Sequence, residues 1–259
     1  MSIPKITPLN IGYLRADASE WYGLPGDHPM SGKVEEVPIL CYHIAVGAQS
    51  VLVDVPAYEF PGDAAEMAIP GFMAHSLLEL LTAAEIDAAG IRDVIITHAH
   101  WDHINGLTRI VDNRRVPTFP QARHYLGRGD WQPEQFGALE NDTLKVVHSH
   151  GLLTLLDGPF DLGEGLTVLP APGESPGHQI LHLHAGGTEA YFVGDLYHHP
   201  LEFAEPARNV EWAAPDTMQA SKAALIERAA QSGARVYFSH IEGPYRVQLM
   251  GQKPHWQAA

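Results

Sequence analysis

The chain has 259 residues, of which 45% are hydrophobic and 18% charged, with 24 glycines and 20 prolines. This composition is typical of a compact, loop-rich globular protein rather than a disordered or fibrous one, and we predict a single domain over residues 1–259. The formal net charge of −15 repels phosphate backbones and anionic lipid, so neither nucleic acid nor a membrane is expected as a partner.

The single cysteine, Cys41, allows no internal disulfide and no thiolate metal cluster, and it lies in an apolar run typical of a buried, inert thiol. The first residues lead into no apolar signal segment, and no run of about 18 uninterrupted apolar residues occurs. We therefore expect a cytoplasmic protein.

The first predicted elements are two strands over residues 38–44 and 50–55. Both are apolar runs, and the short connection between them contains Gly47, which predicts a β-hairpin. Residues 56–81 lack periodicity and contain two Pro-Gly pairs, so a surface loop leading into a short helix is expected there.

A helix and a buried strand are predicted next. Thr82 and Glu85 have the spacing of a capping box and Gly90 supplies a stop, so a short helix is expected between Thr82 and Gly90. Residues 93–97 form a short apolar run rich in β-branched side chains. This run predicts a buried strand that ends at His98.

Near the other end of the chain, apolar residues recur with helical spacing after Asp216, and Gly233 ends the pattern. A strand over residues 236–239 then leads to His240. Together with paired strands around residues 166–193, this alternation predicts an α/β fold in which two mixed β-sheets lie between helices, an αββα sandwich.

The strongest chemical feature is a set of imidazoles and carboxylates directly after the strand at residues 93–97. His98, His100, Asp102 and His103 fall within six positions, and such ligands suit zinc and similar divalent ions. We expect a loop at the strand end to direct these side chains into one cavity. The alternative is a chance cluster of solvated or core histidines, since the chain contains 16.

Three more candidate ligands lie downstream, each at a strand end or in a loop rich in Gly and Pro. They are His178 in a Pro-Gly-His sequence, Asp195 in a Gly-Asp step and His240 after Ser239. A rigid backbone at such places can fix a metal ligand. Because chance does not account for the whole set, we predict metal binding.

With these motifs in this order, the chain resembles the metallo-β-lactamase superfamily from about residue 39 to residue 240. The resemblance implies two divalent ions, most often Zn²⁺, with Mn²⁺, Co²⁺ or Fe²⁺ as alternatives. By the resemblance His98, His100 and His178 hold one ion, Asp102, His103 and His240 hold the other, and Asp195 bridges them. Asp54 matches an aspartate that orients ligating histidines in the family, although Val55 and Pro56 stand where its Asp-Thr-Gly usually continues.

A hydrolase mechanism follows from the two predicted ions. Two cations beside one water lower its pKa from about 15.7 toward about 7, which provides a metal-bridging hydroxide without a Ser or Cys nucleophile. Asp102 is expected to carry the proton to the leaving alkoxide.

The segment after Asp195 resembles the branch that includes methyl parathion hydrolase and related lactone and ester hydrolases, because His198 stands three positions after Asp195. Quorum-quenching lactonases usually carry a tyrosine three positions after this aspartate, whereas in this chain the tyrosine, Tyr197, lies only two positions after Asp195. Tyr197 is a candidate donor to a substrate carbonyl oxygen, with a packed aromatic residue as the alternative. His198 is expected to support the ligands rather than bind an ion.

The predicted function is hydrolysis of a small-molecule lactone or carboxylic ester. An organophosphate triester hydrolase is the alternative among hydrolases, since the same chemistry serves phosphoryl centres. A mononuclear iron persulfide dioxygenase and a metal-stabilised binding protein without activity are alternatives from other classes. A homodimer is left open.

Two stretches with few periodic signals carry aromatic and other large apolar side chains. We expect these side chains either to wall an apolar substrate pocket or to anchor long loops to the core. They are Tyr58, Phe60, Phe72, Met73, Trp131 and Phe136.

Overall fold

The structure is a computed structural model that describes residues 2–56, 76–251 and 253–259. The predicted loop residues Tyr58, Phe60, Phe72 and Met73 lie outside the described residues. No helix in the described part of the chain is long and apolar enough to cross a membrane.

The first sheet has six strands. They are β1 (Lys5–Asp17), β2 (Val34–Val46), β3 (Gln49–Val53), β4 (Asp93–Ile96), β7 (Arg123–Gly127) and β8 (Leu153–Leu156), in that spatial order. The β1–β2 and β2–β3 pairs are antiparallel, and the pairs from β3 to β8 are parallel. The predicted hairpin is confirmed, with Tyr42 of β2 opposite Val53 of β3.

The second sheet has seven strands, and a separate hairpin lies between β4 and β7. The sheet contains β9 (Phe160–Gly163), β10 (Leu166–Pro170), β11 (Gln179–Ala185), β12 (Thr188–Phe192), β13 (Arg235–Tyr237), β14 (Tyr245–Met250) and β15 (Lys253–Ala258). Neighbours in sequence are neighbours in space, and only β12 and β13 pair in parallel. The hairpin is formed by β5 (Thr108–Val111) and β6 (Arg114–Pro117).

Most of the helices are short. They are α1 (Ala18–Tyr22), α2 (Leu77–Ala83), α3 (Trp101–Ile104), α4 (Ala138–Asp142), α5 (Leu144–Ser149), α6 (Leu201–Ala204) and α7 (Pro215–Ser232), with 3₁₀ turns at Ala88–Gly90, Arg128–Asp130 and Gly194–Leu196. The predicted C-terminal helix is confirmed as α7. It begins at Pro215, where a missing N–H costs nothing, and Gly233 ends it with a left-handed φ of 66°.

Three apolar layers hold the sheets and helices together. Between the sheets, Ile44, Val51 and Ile95 pack with Leu181 and Phe192. A second layer lies between the first sheet and α2, and a third between the second sheet and α7. Each fully buried large apolar side chain contributes about 1.5–3 kcal/mol. The predicted αββα sandwich is therefore confirmed.

The predicted helix between Thr82 and Gly90 is wrong in position. The helix begins one turn and a half earlier, after Ser76, whose N–H donates to the Glu79 carboxylate at 3.4 Å. Thr82 lies in its last turn and donates from Oγ1 to the Leu78 carbonyl at 2.8 Å. Glu85 follows with a φ of 58°, which ends the helix.

The stretch over residues 127–156 is also more regular than its sequence indicates, since it contains a 3₁₀ turn, α4, α5 and the whole of β8. Trp131 and Phe136 pack edge to face with ring centroids 5.1 Å apart and contact the core beneath the first sheet. These two aromatic residues anchor the segment, as the second of the two interpretations expected.

Candidate metal centre

The first sheet delivers one half of the site from the end of β4. His98 follows this strand by two residues and is fully buried. His100 immediately precedes α3, so Asp102 and His103 lie on a single helical turn rather than on the loop that the sequence predicts. The turn directs both side chains toward the second sheet.

The second sheet delivers the other half from loops at the same edge. Asp195 lies in the 3₁₀ turn after β12, and His240 follows β13 by three residues. Glu174 and His178 both lie in the loop between β10 and β11. All four side chains are buried.

One group of metal-ligand atoms comes from Asp102, His103 and His240, and these atoms lie within 4.8 Å of one another. His240 Nε2 is 3.2 Å from Asp102 Oδ2. His103 Nε2 is 3.7 Å from Asp102 Oδ1. The structure therefore brings together the three residues that the resemblance assigns to one ion.

A second group comes from His98, His100, Glu174 and Asp195, again with ligand atoms within 4.8 Å of one another. His98 Nε2 is 3.6 Å from Asp195 Oδ2. Glu174 Oε1 is 3.2 Å from His100 Nδ1. Glu174 was not among the residues predicted from the sequence, where its only signal is a lone acidic residue in a loop rich in Gly and Pro.

The Asp195 carboxylate lies between the two groups. Oδ2 faces His98, whereas Oδ1 is 3.2 Å from His103 Nε2 and 3.3 Å from His240 Nε2. One oxygen thus points toward each group, which is the arrangement that a bridging ligand needs.

His178 lies beside His98, with ring centroids 5.2 Å apart. Its Nδ1 is 2.9 Å from the Ala171 carbonyl, and its Nε2 accepts the backbone N–H of Asp195 at 3.3 Å. Within the described residues, His178 belongs to neither of the two ligand groups.

The donor set fits divalent ions. His98 Nε2, His103 Nε2 and Asp195 Oδ1 are buried and have no hydrogen-bond partner among the described residues, which costs about 1–3 kcal/mol for each group. Ligands about 2.1 Å from one tetrahedral ion lie about 3.4 Å apart. The ligand separations of 3.2–3.7 Å in both groups match that spacing.

The electrostatics of the site also favour cations. Burial disfavours the charge of Asp195, but the imidazoles of His103 and His240 outweigh it and hold the pKa of this carboxyl well below its usual value. At His240 burial alone would lower the pKa of the imidazole, but the carboxylates of Asp195 and Asp102 have the larger effect and raise this pKa to about 9. The carboxylates thus draw positive charge into the site.

His98 differs from these histidines. Burial, together with the nearby imidazoles of His103 and His100, holds the pKa of His98 well below its usual value. The ring is therefore neutral, which is the form that binds a metal ion.

Asp54 has the orienting position that the sequence predicts. Its Oδ2 is 2.9 Å from His103 Nδ1, and its Oδ1 accepts the backbone N–H of Thr97 at 2.7 Å. The ring of His240 is held in a similar way, with Nδ1 2.8 Å from the Pro38 carbonyl. In both histidines these contacts leave Nε2 directed at the site.

His198 reaches over the site from the second sheet. Its Nε2 is 3.4 Å from both Glu174 Oε1 and Asp195 Oδ2. Its backbone N–H donates to Glu202 at 2.8 Å, and Glu202 in turn pairs with buried Lys222. A buried ion pair thus fixes the segment that carries His198.

Tyr197 points elsewhere. Its ring is 2% exposed and packs against Phe203, Phe238 and Trp256, and Lys222 Nζ lies 4.8 Å from its centroid. Tyr197 also does not line the cavity that opens above the two ligand groups. The expected contact with a substrate carbonyl is therefore not available, and Tyr197 is instead the packed aromatic residue of the alternative interpretation.

A cavity of about 430 Å³ opens directly above both ligand groups. Its walls are apolar and consist of Leu14, Trp21, Trp101 and Trp212. Its polar floor is formed by His100, Asp102, Glu174, Asp195, His198 and His240.

The family model of the metallo-beta-lactamase superfamily matches residues 34–240. The chain therefore belongs to this superfamily.

Curated relatives match only in part. The hydroxyacylglutathione hydrolase of Aeromonas salmonicida is 29% identical over 122 residues, which cover 47% of this chain and 38% of that protein. The N-acyl homoserine lactonase of Bacillus thuringiensis is 22% identical over 160 residues, which cover 58% of this chain and 60% of that protein. The aligned part thus spans less than two thirds of either relative.

Solved structures match over the whole chain. The hydrolase AbOPH superimposes with a TM-score of 0.78 at 18% identity, covering 99% of this chain and 94% of that one. The dizinc quorum-quenching lactonase AidC, solved with a product, superimposes with a TM-score of 0.77 at 18% identity. This match covers 100% of the present chain and 95% of AidC. At this identity the match confirms the fold.

Proposed function

We propose that the chain is a dinuclear metal-dependent hydrolase that opens a small, uncharged lactone or carboxylic ester. The observation that supports the proposal is the cavity, because residues of both ligand groups line its floor and apolar side chains form its walls. A reacting carbonyl can therefore reach the floor while the rest of the substrate lies against Trp21, Trp101 and Trp212.

The lining favours an uncharged substrate. Within the described residues, the cavity is lined by no Lys or Arg that would pair with a carboxylate or phosphate group of a substrate. Indole rings and Leu14 instead offer apolar contact. A neutral acyl chain or lactone ring suits these walls.

Divalent ions in the two groups supply an activated water and a Lewis acid for the carbonyl oxygen. The protein's own residues orient these partners. Asp54 and the Pro38 carbonyl hold His103 and His240, and Asp195 faces both groups. Asp102 belongs to one ligand group and lines the cavity, so its carboxylate is the group we propose to carry a proton to the leaving oxygen.

The relatives support the same class of substrate. One is named a hydroxyacylglutathione hydrolase and the other an N-acyl homoserine lactonase, and AidC is a dizinc lactonase solved with its product. We propose Zn²⁺ as the first ion to test.

The test is a substrate panel on protein loaded separately with Zn²⁺, Mn²⁺ and Co²⁺. An N-acyl homoserine lactone, a nitrophenyl ester and a phosphotriester are compared, with His240→Ala as the inactive control. We expect metal-dependent turnover of the lactone or ester that a chelator abolishes and added metal restores. A fully loaded protein that hydrolyses only the phosphotriester, or nothing, contradicts the proposal.

Two further measurements separate the remaining alternatives. One iron per chain with thiol-dependent oxygen uptake would identify a persulfide dioxygenase instead. An Asp102→Asn variant that keeps its metal and its full activity would remove Asp102 from the proton-transfer step.

A further inference from the structure

We propose that the buried carboxylate of Glu202 is a positioning group that joins the floor of the cavity to one of its walls. It holds His198 on the floor and, through Tyr22, holds Trp21 in the wall. This unit fixes the surface that binds the part of a substrate that does not react. The inference rests on the proposed hydrolase function, because it names the residues that set substrate binding in the same cavity.

The Glu202 carboxylate is enclosed and surrounded by donors. The residue is 1% exposed, and its Oε1 accepts both the Tyr22 hydroxyl and the His198 backbone N–H at 2.8 Å. Its Oε2 accepts from the Lys222 ammonium, which also donates to the Arg208 carbonyl at 3.0 Å. Burial of a carboxylate is costly unless such partners are present, so the three donors fix its position.

The floor side of the unit is His198. Its Nδ1 lies 3.6 Å from the same Glu202 oxygen that accepts its backbone N–H. The ring lines the cavity and packs edge to face against Trp21 and Trp212, with ring centroids 5.9 and 5.8 Å away. A shift of Glu202 would therefore move a ring that touches two of the cavity walls.

The wall side of the unit is Trp21, which precedes Tyr22 on the five-residue helix α1. A helix this short is marginal without tertiary contacts. The Trp21 carbonyl accepts the Glu211 N–H at 2.9 Å, and the Tyr22 carbonyl accepts from Arg208 at 3.3 Å. Burial and the Glu202 carboxylate raise the pKa of Tyr22 above its usual value, so the hydroxyl stays protonated and adds a side-chain anchor next to Trp21.

The unit acts on substrate binding rather than on the bond that breaks. Because Trp21 lies in the apolar wall, it contacts the acyl part of a substrate, and loss of such a contact raises KM with little change in kcat. Tyr22→Phe removes the hydroxyl and keeps the ring. We expect KM to rise by about three- to tenfold with kcat within about twofold of wild type. The rise should be larger for an N-octanoyl than for an N-butanoyl homoserine lactone, or between matching nitrophenyl esters.

Hydrogen exchange supplies a readout that needs no turnover. The backbone amides of residues 18–24 are followed by mass spectrometry without substrate, and Tyr22→Phe should exchange there about fivefold faster than wild type. The matched control is Tyr125→Phe, because Tyr125 is also buried and donates to a buried carboxylate, Asp93, at 3.0 Å. Asp93 begins β4, whereas the metal centre follows its end, so this control should change neither KM nor exchange in residues 18–24.

A second pair of variants tests the carboxylate itself. Glu202→Gln and Glu202→Met are compared in a Lys222→Met background, where neither leaves a buried charge without its partner. The glutamine oxygen can still accept from Tyr22 and His198, whereas methionine offers only a weak acceptor. We expect KM and exchange of the glutamine variant to lie closer to wild type than those of the methionine variant.

Three results would overturn the inference. They are wild-type KM for both lactones in Tyr22→Phe, wild-type exchange of residues 18–24 in the same variant, and glutamine and methionine variants that cannot be distinguished. If the Glu202 variants do not fold, the Tyr22→Phe measurements decide. A wild-type protein that hydrolyses no panel substrate contradicts the proposed function alone, and the exchange rates then decide the inference.

Discussion

Asp54 Oδ2 lies 2.9 Å from His103 Nδ1, and this contact fixes which nitrogen of His103 faces the metal centre. Asp54 holds its position at a left-handed φ of 63°, a conformation that only Gly, Asn and Asp adopt readily. The residue thus combines an unusual backbone with a buried acceptor at the end of β3.

Asp54→Asn is expected to keep the backbone but weaken the site. Asparagine tolerates the left-handed φ, yet its amide cannot accept from both Thr97 and His103 as the carboxylate does. We expect metal affinity to fall by about 10–100-fold, measured by chelator competition. The matched control is Asp112→Asn, an exposed residue with a φ of 49°, and equal affinity in both variants would refute the orienting role.

Gly194 precedes the bridging Asp195 at a φ of 53°, and an added Cβ would lie 2.8 Å from Thr97 Oγ1 and 3.0 Å from His178 Nε2. Gly194→Ala is therefore expected to destabilise the fold and to lower metal content. Gly187→Ala is the control, because it has a φ of 77° and open space around the new Cβ. It should cost only the conformational strain of about 1–2 kcal/mol.

Urea unfolding of the two glycine variants, together with metal analysis, measures both effects. Equal destabilisation of the two variants would show that the close contacts of the added Cβ at position 194 with Thr97 and His178 do not affect stability.

The buried pair Glu202–Lys222 lies beneath His198, with both side chains almost fully buried. Lys222→Met removes the ammonium partner of buried Glu202, which keeps its contacts with the Tyr22 hydroxyl and with His198. We expect a loss of up to about 5 kcal/mol in the free energy of unfolding. The double variant with Glu202→Gln should recover part of this loss. Arg128→Met, which breaks the exposed pair with Asp157, should leave the unfolding midpoint unchanged.

His124 on β7 is fully buried, and burial lowers its pKa from 6.5 to about 4. Below pH 6.5 the imidazole of His124 therefore binds a proton in the unfolded chain but stays neutral in the folded chain. The free energy of unfolding consequently falls as the pH drops from 6.5 to about 4. This single group accounts for about 3 kcal/mol over that window. His124→Leu should show a shallower decline in unfolding free energy than wild type, and parallel pH profiles would contradict the assignment.

The layers of the fold could be predicted from the sequence because they depend on local patterns, and the structure also brings together most of the side chains that were predicted as candidate ligands. Residues 93–96 are fully buried as an apolar β-branched run should be, and α7 has a clear start and stop. β1 was missed because Pro8 and Gly12 interrupt its pattern. Both are tolerated because β1 is at the edge of the sheet, with a register shift between Asn10 and Gly12.

The Glu174 position could not be read from spacing. His178 lies in a recognisable Pro-Gly-His turn, whereas four residues earlier a single glutamate carries no pattern. Only the path of the loop shows that the Glu174 carboxylate lies 3.2 Å from His100 Nδ1. Tyr197 was ambiguous for a similar reason, since the direction of a side chain after a strand depends on the 3₁₀ turn at Gly194–Leu196.

A further aspartate, Asp130, links the two halves of the centre. Its Oδ2 accepts from the Ala99 N–H at 3.0 Å and from Ser175 Oγ at 2.7 Å, and its Oδ1 accepts from the Gly177 N–H at 2.6 Å. The loop of the first sheet and the loop of the second are thereby tied to one acceptor outside the ligand groups. These hydrogen bonds form when the chain folds, so the ligand side chains are already in position when an ion binds. Little of the free energy of metal binding is then needed to order the loops.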